Sequence, residues 1–281
     1  MISFLKPFAG GKYSLIIVFL LLTAILIWGV RNNQFILRVA VNQEIALKTH
    51  DFKEIQTEHY TIKYAEKSEG SINLIVESAE EAYDKVCAWF GREPSYKATI
   101  IVYPDAVSLA ESFGWDKDEK AMGVYWAGSI RVLSPEVWLG HEEMEERFKK
   151  EGPMVHEFAH LMVDEITNGN YNRWFTEGIA QYVEKKITGF EFSSPFKKGD
   201  KARYYKLSEL SRDFDGLKQD IAYYQSLKIV DYIAYNYGEE GIFRILQKLG
   251  KGYNLNRAIE ESLGVKYQEF EQKIYQELLK N

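Results

Sequence analysis

The chain has 281 residues, 46% of them hydrophobic and 27% charged, with a net charge of −6 and one cysteine. These proportions exclude a disordered or collagen-like chain, and the length allows one large domain or two small ones. The lone Cys87 excludes an internal disulfide framework and any cysteine-based zinc cluster, and the acidic balance argues against a nucleic-acid partner. A mean hydropathy of −0.31 rules out a polytopic membrane protein but not a single span.

That span is the first element. After a tail of residues 1–12, Tyr13 to Val30 (YSLIIVFLLLTAILIWGV) runs for eighteen residues without a charge between Lys12 and Arg31. This is long enough for a transmembrane helix and long for a secretory apolar core, and no A-x-A-like cleavage site follows. An uncleaved signal anchor is expected, with the lipid bilayer as its partner. Flanking positive charge is nearly balanced (Lys6 and Lys12 against Arg31, Arg38 and Lys48), but the short acid-free tail favours staying inside. The expected location is therefore the cell membrane, single-pass, with the body extracytoplasmic. Without residues 1–31, 32 basic and 41 acidic side chains remain. Such a surface is repelled by anionic lipid, so the anchor must hold the protein there.

Residues 31–57 read as a stalk of mixed composition. A βαβ-like start follows: His59–Tyr64 alternates as a strand, Ile75, Ala79, Ala82, Val86 and Phe90 repeat at helical spacing up to Gly91, and Ala98–Tyr103 is a β-branched strand. Val124–Trp126 and Ser129–Leu133 form a predicted hairpin around Ala127-Gly128. Helical period then dominates, over roughly 153–167, 173–187, 219–237, 239–249, 254–263 and 266–280. A small sheet followed by a helical half predicts an α+β fold, with an N-lobe over 58–190 and a helical C-terminal lobe over 191–281.

One pentapeptide carries chemistry: His156-Glu157-Phe158-Ala159-His160, an H-E-x-x-H. Positions i and i+4 share a helix face, so both rings can address one metal while Glu157 lies beside it to handle a water. The bland alternative is two core histidines satisfied by backbone groups. A catalytic zinc site also needs a third protein ligand. Glu177, on the next predicted helix within Trp174-Phe175-Thr176-Glu177-Gly178-Ile179-Ala180-Gln181-Tyr182, returns to the histidines after a turn at Asn168-Gly169-Asn170. Its apolar neighbours suit a carboxylate only if it is paired or bound to metal. Gln181 and Asp164, each one helical turn beyond a ligand, are candidates to orient the histidines. Cys87 reads as a small core residue, and 142–146 as a solvated helix face.

These two motifs resemble the gluzincins, the zinc peptidases whose third ligand is a glutamate on a following helix. The W-x-x-E-G-x-A form is similar to that of the metallo-aminopeptidases and of the smaller peptidase MA-like domains, the latter likeness running from about His59 to the C-terminus. Two features depart from the aminopeptidases: the gap between His160 and Glu177 is slightly shorter, and no G-A-M-E-N-like element is present. The resemblance implies a zincin-like fold and a Zn(2+) cofactor held by His156, His160 and Glu177. It also implies a peptide or protein substrate, with Glu157 as general base. It further implies that Tyr223, matching a tyrosine found after the third ligand, donates to the reacting carbonyl oxygen; the alternatives are that Tyr223 packs, or that Tyr224 is the match. Ser129–Leu133, upstream of the metal helix, is expected to offer a sheet edge to substrate. The rival function is a non-catalytic binding or sensing module on the same fold.

Overall fold

The computed structural model describes residues 33–116, 121–140, 142–196 and 203–279. The apolar segment 13–30 lies outside them. Among the described residues no helix is long and apolar enough to cross a membrane.

Most of the stretch read as a stalk is a helix, α1 (Asn33–Lys48), followed by a short strand, β1 (Lys53–Gln56). The helix is not free-standing. Val41 and Ile45 are buried against Ile101, Tyr103 and Leu133 on one face of the sheet, each such side chain contributing roughly 1.5–3 kcal/mol. Its opposite side also carries apolar residues, Phe35, Ile36 and Val39. That blurs the contrast between faces from which an amphipathic helix is recognised.

The sheet has five strands in the order β1-β2-β3-β5-β4, with β2 (Tyr60–Tyr64), β3 (Ala98–Tyr103), β4 (Gly123–Trp126) and β5 (Ser129–Leu133). β2, β3 and β5 run parallel, and the outer strands are antiparallel to their neighbours. α2 (Ile72–Phe90) is the crossover between β2 and β3, as the spacing predicts, and ends at Gly91, whose φ of 66° closes the helix in the left-handed region. Along β3, Ile100 and Val102 enter the main core while Ile101 and Tyr103 enter the smaller core under α1. A strand buried on both faces reads as a continuous apolar run.

Ala127 and Gly128 join β4 to β5 with φ of 45° and 90°, the positive pair of a tight hairpin turn. β5 is interior, between β3 and β4, so its backbone is already paired on both sides. The expectation that Ser129–Leu133 forms an edge is therefore corrected: on this side of the sheet the edge strand is β4. Both strands of a hairpin look alike in sequence, and only the pairing of β5 with the distant β3 decides which is outermost.

The remaining helices are α3 (Ala106–Phe113), α4 (Met144–Glu151), α5 (Met154–Thr167), α6 (Arg173–Thr188), α7 (Leu207–Arg212), α8 (Gln219–Tyr237), α9 (Glu239–Gly250), α10 (Leu255–Leu263) and α11 (Tyr267–Leu278). The six long helices read from the sequence lie within two residues of these bounds. The short α3, capped by the Asp105 side chain accepting from the Ser108 amide, is not evident from periodicity. α6 and α8 touch at Gly178, where a Cβ would lie 2.4 Å from the Ser226 carbonyl oxygen. Only glycine permits that approach, and it brings α8 beside the face of α6 that carries Glu177.

Candidate metal centre

α5 opens after Pro153 and ends at Asn168, whose φ of 53° reverses the chain. α6 then runs back alongside it. His156 and His160 project from one face of α5, and Glu177 meets them from α6. His156 Nε2 and His160 Nε2 are 3.1 Å apart, and Glu177 Oε2 is 3.4 Å from each. A tetrahedral ion with bonds of about 2.0–2.1 Å separates its donors by about 3.3 Å. The three atoms thus have the spacing of three ligands around one ion, and they form a group that can hold a metal.

The Glu177 carboxylate is divided between two tasks. Oε1 accepts from Arg173 Nε and from the Tyr223 hydroxyl, both at 3.2 Å. Oε2 is fully buried and has no hydrogen-bond partner. A buried carboxylate oxygen left without a donor is costly, and a cation between it and the two imidazoles removes that cost. The residues fit a zinc ion.

Burial alone would raise the Glu177 carboxyl, but His160 and His156 overcome it and hold the group well below the usual carboxylate range. For His156, burial opposes the charged form, yet the Glu177 and Glu184 carboxylates win and push it well above its ordinary value. The site is thus an anionic cradle that holds positive charge. Glu157 behaves oppositely. Buried beside Glu177, it is raised, although His156 and His160 pull the other way. Its Oε2 accepts from the backbone amide of Tyr125 on β4 at 2.6 Å. β4 crosses α5 so closely that a Cβ on Gly123 would lie 2.5 Å from Pro153 Cβ and 3.0 Å from Glu157 Cγ.

The groups that orient the histidines differ from those suggested by the sequence. His156 Nδ1 lies 3.1 Å from Glu184 Oε2 and His160 Nδ1 lies 2.7 Å from Thr176 Oγ1; in the tautomer that leaves each Nε2 free for a metal, Nδ1 carries the proton and donates. Each bond turns Nε2 towards the metal position. Gln181 instead donates its amide to the carbonyls of Glu177 and Tyr223, which ties α6 to α8. Asp164 accepts from Arg38 and from the Tyr125 hydroxyl. Both are thus engaged away from the imidazoles, whereas Glu184, two turns past Glu177, reaches His156 on α5. That i+7 spacing is visible in the sequence. The placement of Thr176 depends on the crossing of the two helices and is not.

Tyr223 enters the site through its contact with Glu177. Tyr224 points elsewhere, packed against the Phe196 ring and beneath the Lys228 ammonium. Arg173, one turn before Glu177, is a contributor that the sequence reading missed. Cys87 is buried in the main core, as expected.

No curated protein matches the chain. Residues 78–281 match the family model of the Peptidase MA superfamily, a stretch that runs from within α2 through β4, the helices that carry His156, His160 and Glu177, and everything that follows. With that match covering most of its length, the chain belongs to the Peptidase MA superfamily.

Proposed function

We propose that the protein is a membrane-anchored, zinc-dependent peptidase of the gluzincin type. The observation that carries this reading is the meeting of His156 Nε2, His160 Nε2 and the orphaned Glu177 Oε2 at metal-ligand spacing. These three side chains hold the Zn(2+). Zinc bound there supplies a Lewis acid that acidifies a water and polarises a carbonyl.

The remaining work belongs to the chain. Glu157, beside the ligands and raised by burial, takes the proton of the attacking water and delivers it to the leaving amine. The Tyr125 amide holds one oxygen of Glu157, which leaves the other for that traffic. Tyr223 keeps its phenolic proton, because burial and the neighbouring Glu177 raise it well above its ordinary value. It is the candidate donor to the carbonyl oxygen as negative charge develops there. The outer side of β4, where Glu157 already takes the Tyr125 amide, offers its remaining backbone groups to an extended peptide. Residues 13–30 supply the anchor and the body lies on the extracytoplasmic side, a reading supported by the uninterrupted apolar run and the acid-free tail.

The test is digestion of an unbiased peptide library by the full chain, before and after chelation. Cleavage should stop on chelation and return with zinc. Cleavage that persists without metal would contradict the assignment.

A further inference from the structure

α1 lies on the face of the sheet opposite the metal helix, yet one of its side chains reaches the metal helix. Arg38 passes the β4–β5 turn and donates to Asp164 Oδ2 at 2.9 Å and Glu165 Oε2 at 3.2 Å, both on α5. Its guanidinium also lies over the Tyr96 ring, 4.3 Å from the centroid. The turn makes room for it: a Cβ on Gly128 would stand 3.3 Å from both Arg38 Cγ and Tyr96 Cε2. The Asp164 oxygen that takes Arg38 also accepts from the Tyr125 hydroxyl at 2.8 Å. That same hydroxyl accepts from the Gly128 amide at 3.0 Å. The Tyr125 amide, at the other end of the residue, is the donor to Glu157. A continuous chain of polar contacts thus runs from α1 to the proposed general base.

We propose that Arg38 is a positioning residue for Glu157: by holding Asp164 against Tyr125, it fixes the edge strand where the Tyr125 amide meets the Glu157 carboxylate. Three observations favour this over a merely local clamp. Arg38 and Tyr125 share one acceptor atom, so losing either changes the other. Burial raises the Tyr125 phenol well above its ordinary value, which keeps it a donor. The far end of α1 is fixed independently, with Lys48 Nζ donating to the Ser112 carbonyl at 3.1 Å and Arg131 lying 3.6 Å from Glu44. Losing Arg38 therefore loosens the edge strand without releasing the helix. The segment that follows the proposed anchor becomes part of the catalytic unit, and this inference rests on the peptidase reading for its effect on rate.

The experiment compares the full chain with Arg38→Ala, Arg38→Lys and Tyr125→Phe. Amide exchange is followed by mass spectrometry across 121–128, with zinc content measured alongside. Arg38→Ala and Tyr125→Phe should each speed exchange in β4 about 10-fold or more, with zinc content unchanged and Arg38→Lys intermediate. Tyr125→Phe loses one hydroxyl and keeps the Arg38–Asp164 pair, so it reports even if Arg38→Ala folds poorly. Peptide cleavage should fall about 10- to 100-fold in Arg38→Ala and in Tyr125→Phe, the scale of a small misplacement, and hardly further in a variant that carries both changes. Wild-type exchange in β4 for both Arg38→Ala and Tyr125→Phe, or faster exchange confined to α1, would overturn the proposal. A wild-type chain that binds zinc but cleaves nothing would sink the peptidase reading, and the exchange data would still decide this one.

Discussion

His156 Nδ1 lies 3.1 Å from Glu184 Oε2, which stands two helical turns beyond Glu177 on the same helix. One face of α6 therefore supplies both Glu177, a proposed metal ligand, and the group that aims His156. Glu184→Gln keeps the size of the side chain but removes the charge that favours the Nδ1–H tautomer. Zinc affinity should fall about 10- to 100-fold, the usual cost of losing such a partner. Thr176→Val, which removes the acceptor for His160, should act in the same direction. Competition with a chromogenic chelator measures both, and unchanged affinity in Glu184→Gln would remove its assigned role.

The long helices and the His156–His160 pair are legible because each is local or periodic. H-E-x-x-H needs only the i, i+4 geometry of one helix, and α8 to α11 are bounded by Gly238, Gly250 and Gly264. What escapes is set by pairing between distant segments. Nothing near Ser129–Leu133 reveals that β3 covers its other side, and nothing near Arg38 points to Asp164, 126 positions away. The orienting groups fall between these cases. Glu184 is recoverable from its spacing to Glu177, whereas Thr176 requires the packing of α5 on α6.

Tyr223 and Tyr224 test the register of the proposed oxyanion donor. The Tyr223 hydroxyl sits 3.2 Å from Glu177 Oε1, and Tyr224 packs away from the metal position. Tyr223→Phe should lower kcat about 10²–10³-fold, the size seen when one such donor is lost, with zinc content and Tm nearly unchanged. Tyr224→Phe should leave kcat within about twofold of wild type. Equal, small effects in both would mean that Tyr223 only braces Glu177.

The metal-free site should make stability depend on pH in a definite sense. His156 is raised on folding because Glu177 and Glu184 outweigh its burial. Its contribution is complete below the unfolded value of about 6.5 and is lost as pH climbs through the raised folded value. Glu177 is lowered, so its contribution is present above about pH 4.3 and is lost as pH falls through the depressed folded value. Chelator-stripped protein should therefore be most stable between about pH 4.5 and 6.5 as far as this pair governs it. Zinc should restore stability at higher pH by replacing the proton on His156. Melting curves across pH with and without zinc measure this. A stripped protein whose Tm rises steadily from pH 6 to 9 would contradict it.

For the anchor, protease added to intact cells should digest the region after Arg31. The expectation rests on the charge-free run 13–30 and the acid-free tail before it. Protection until the cells are lysed would place the site on the cytoplasmic side.

The most direct measurement is zinc content and peptide cleavage determined together on the full chain, on Glu157→Gln and on Glu177→Ala. If His156, His160 and Glu177 hold the ion and Glu157 handles the proton, wild type carries one zinc and cleaves. Glu157→Gln then keeps the zinc but loses about 10²–10⁴ in rate, and Glu177→Ala loses stoichiometric zinc. Full zinc in Glu177→Ala, or wild-type cleavage by Glu157→Gln, would contradict it.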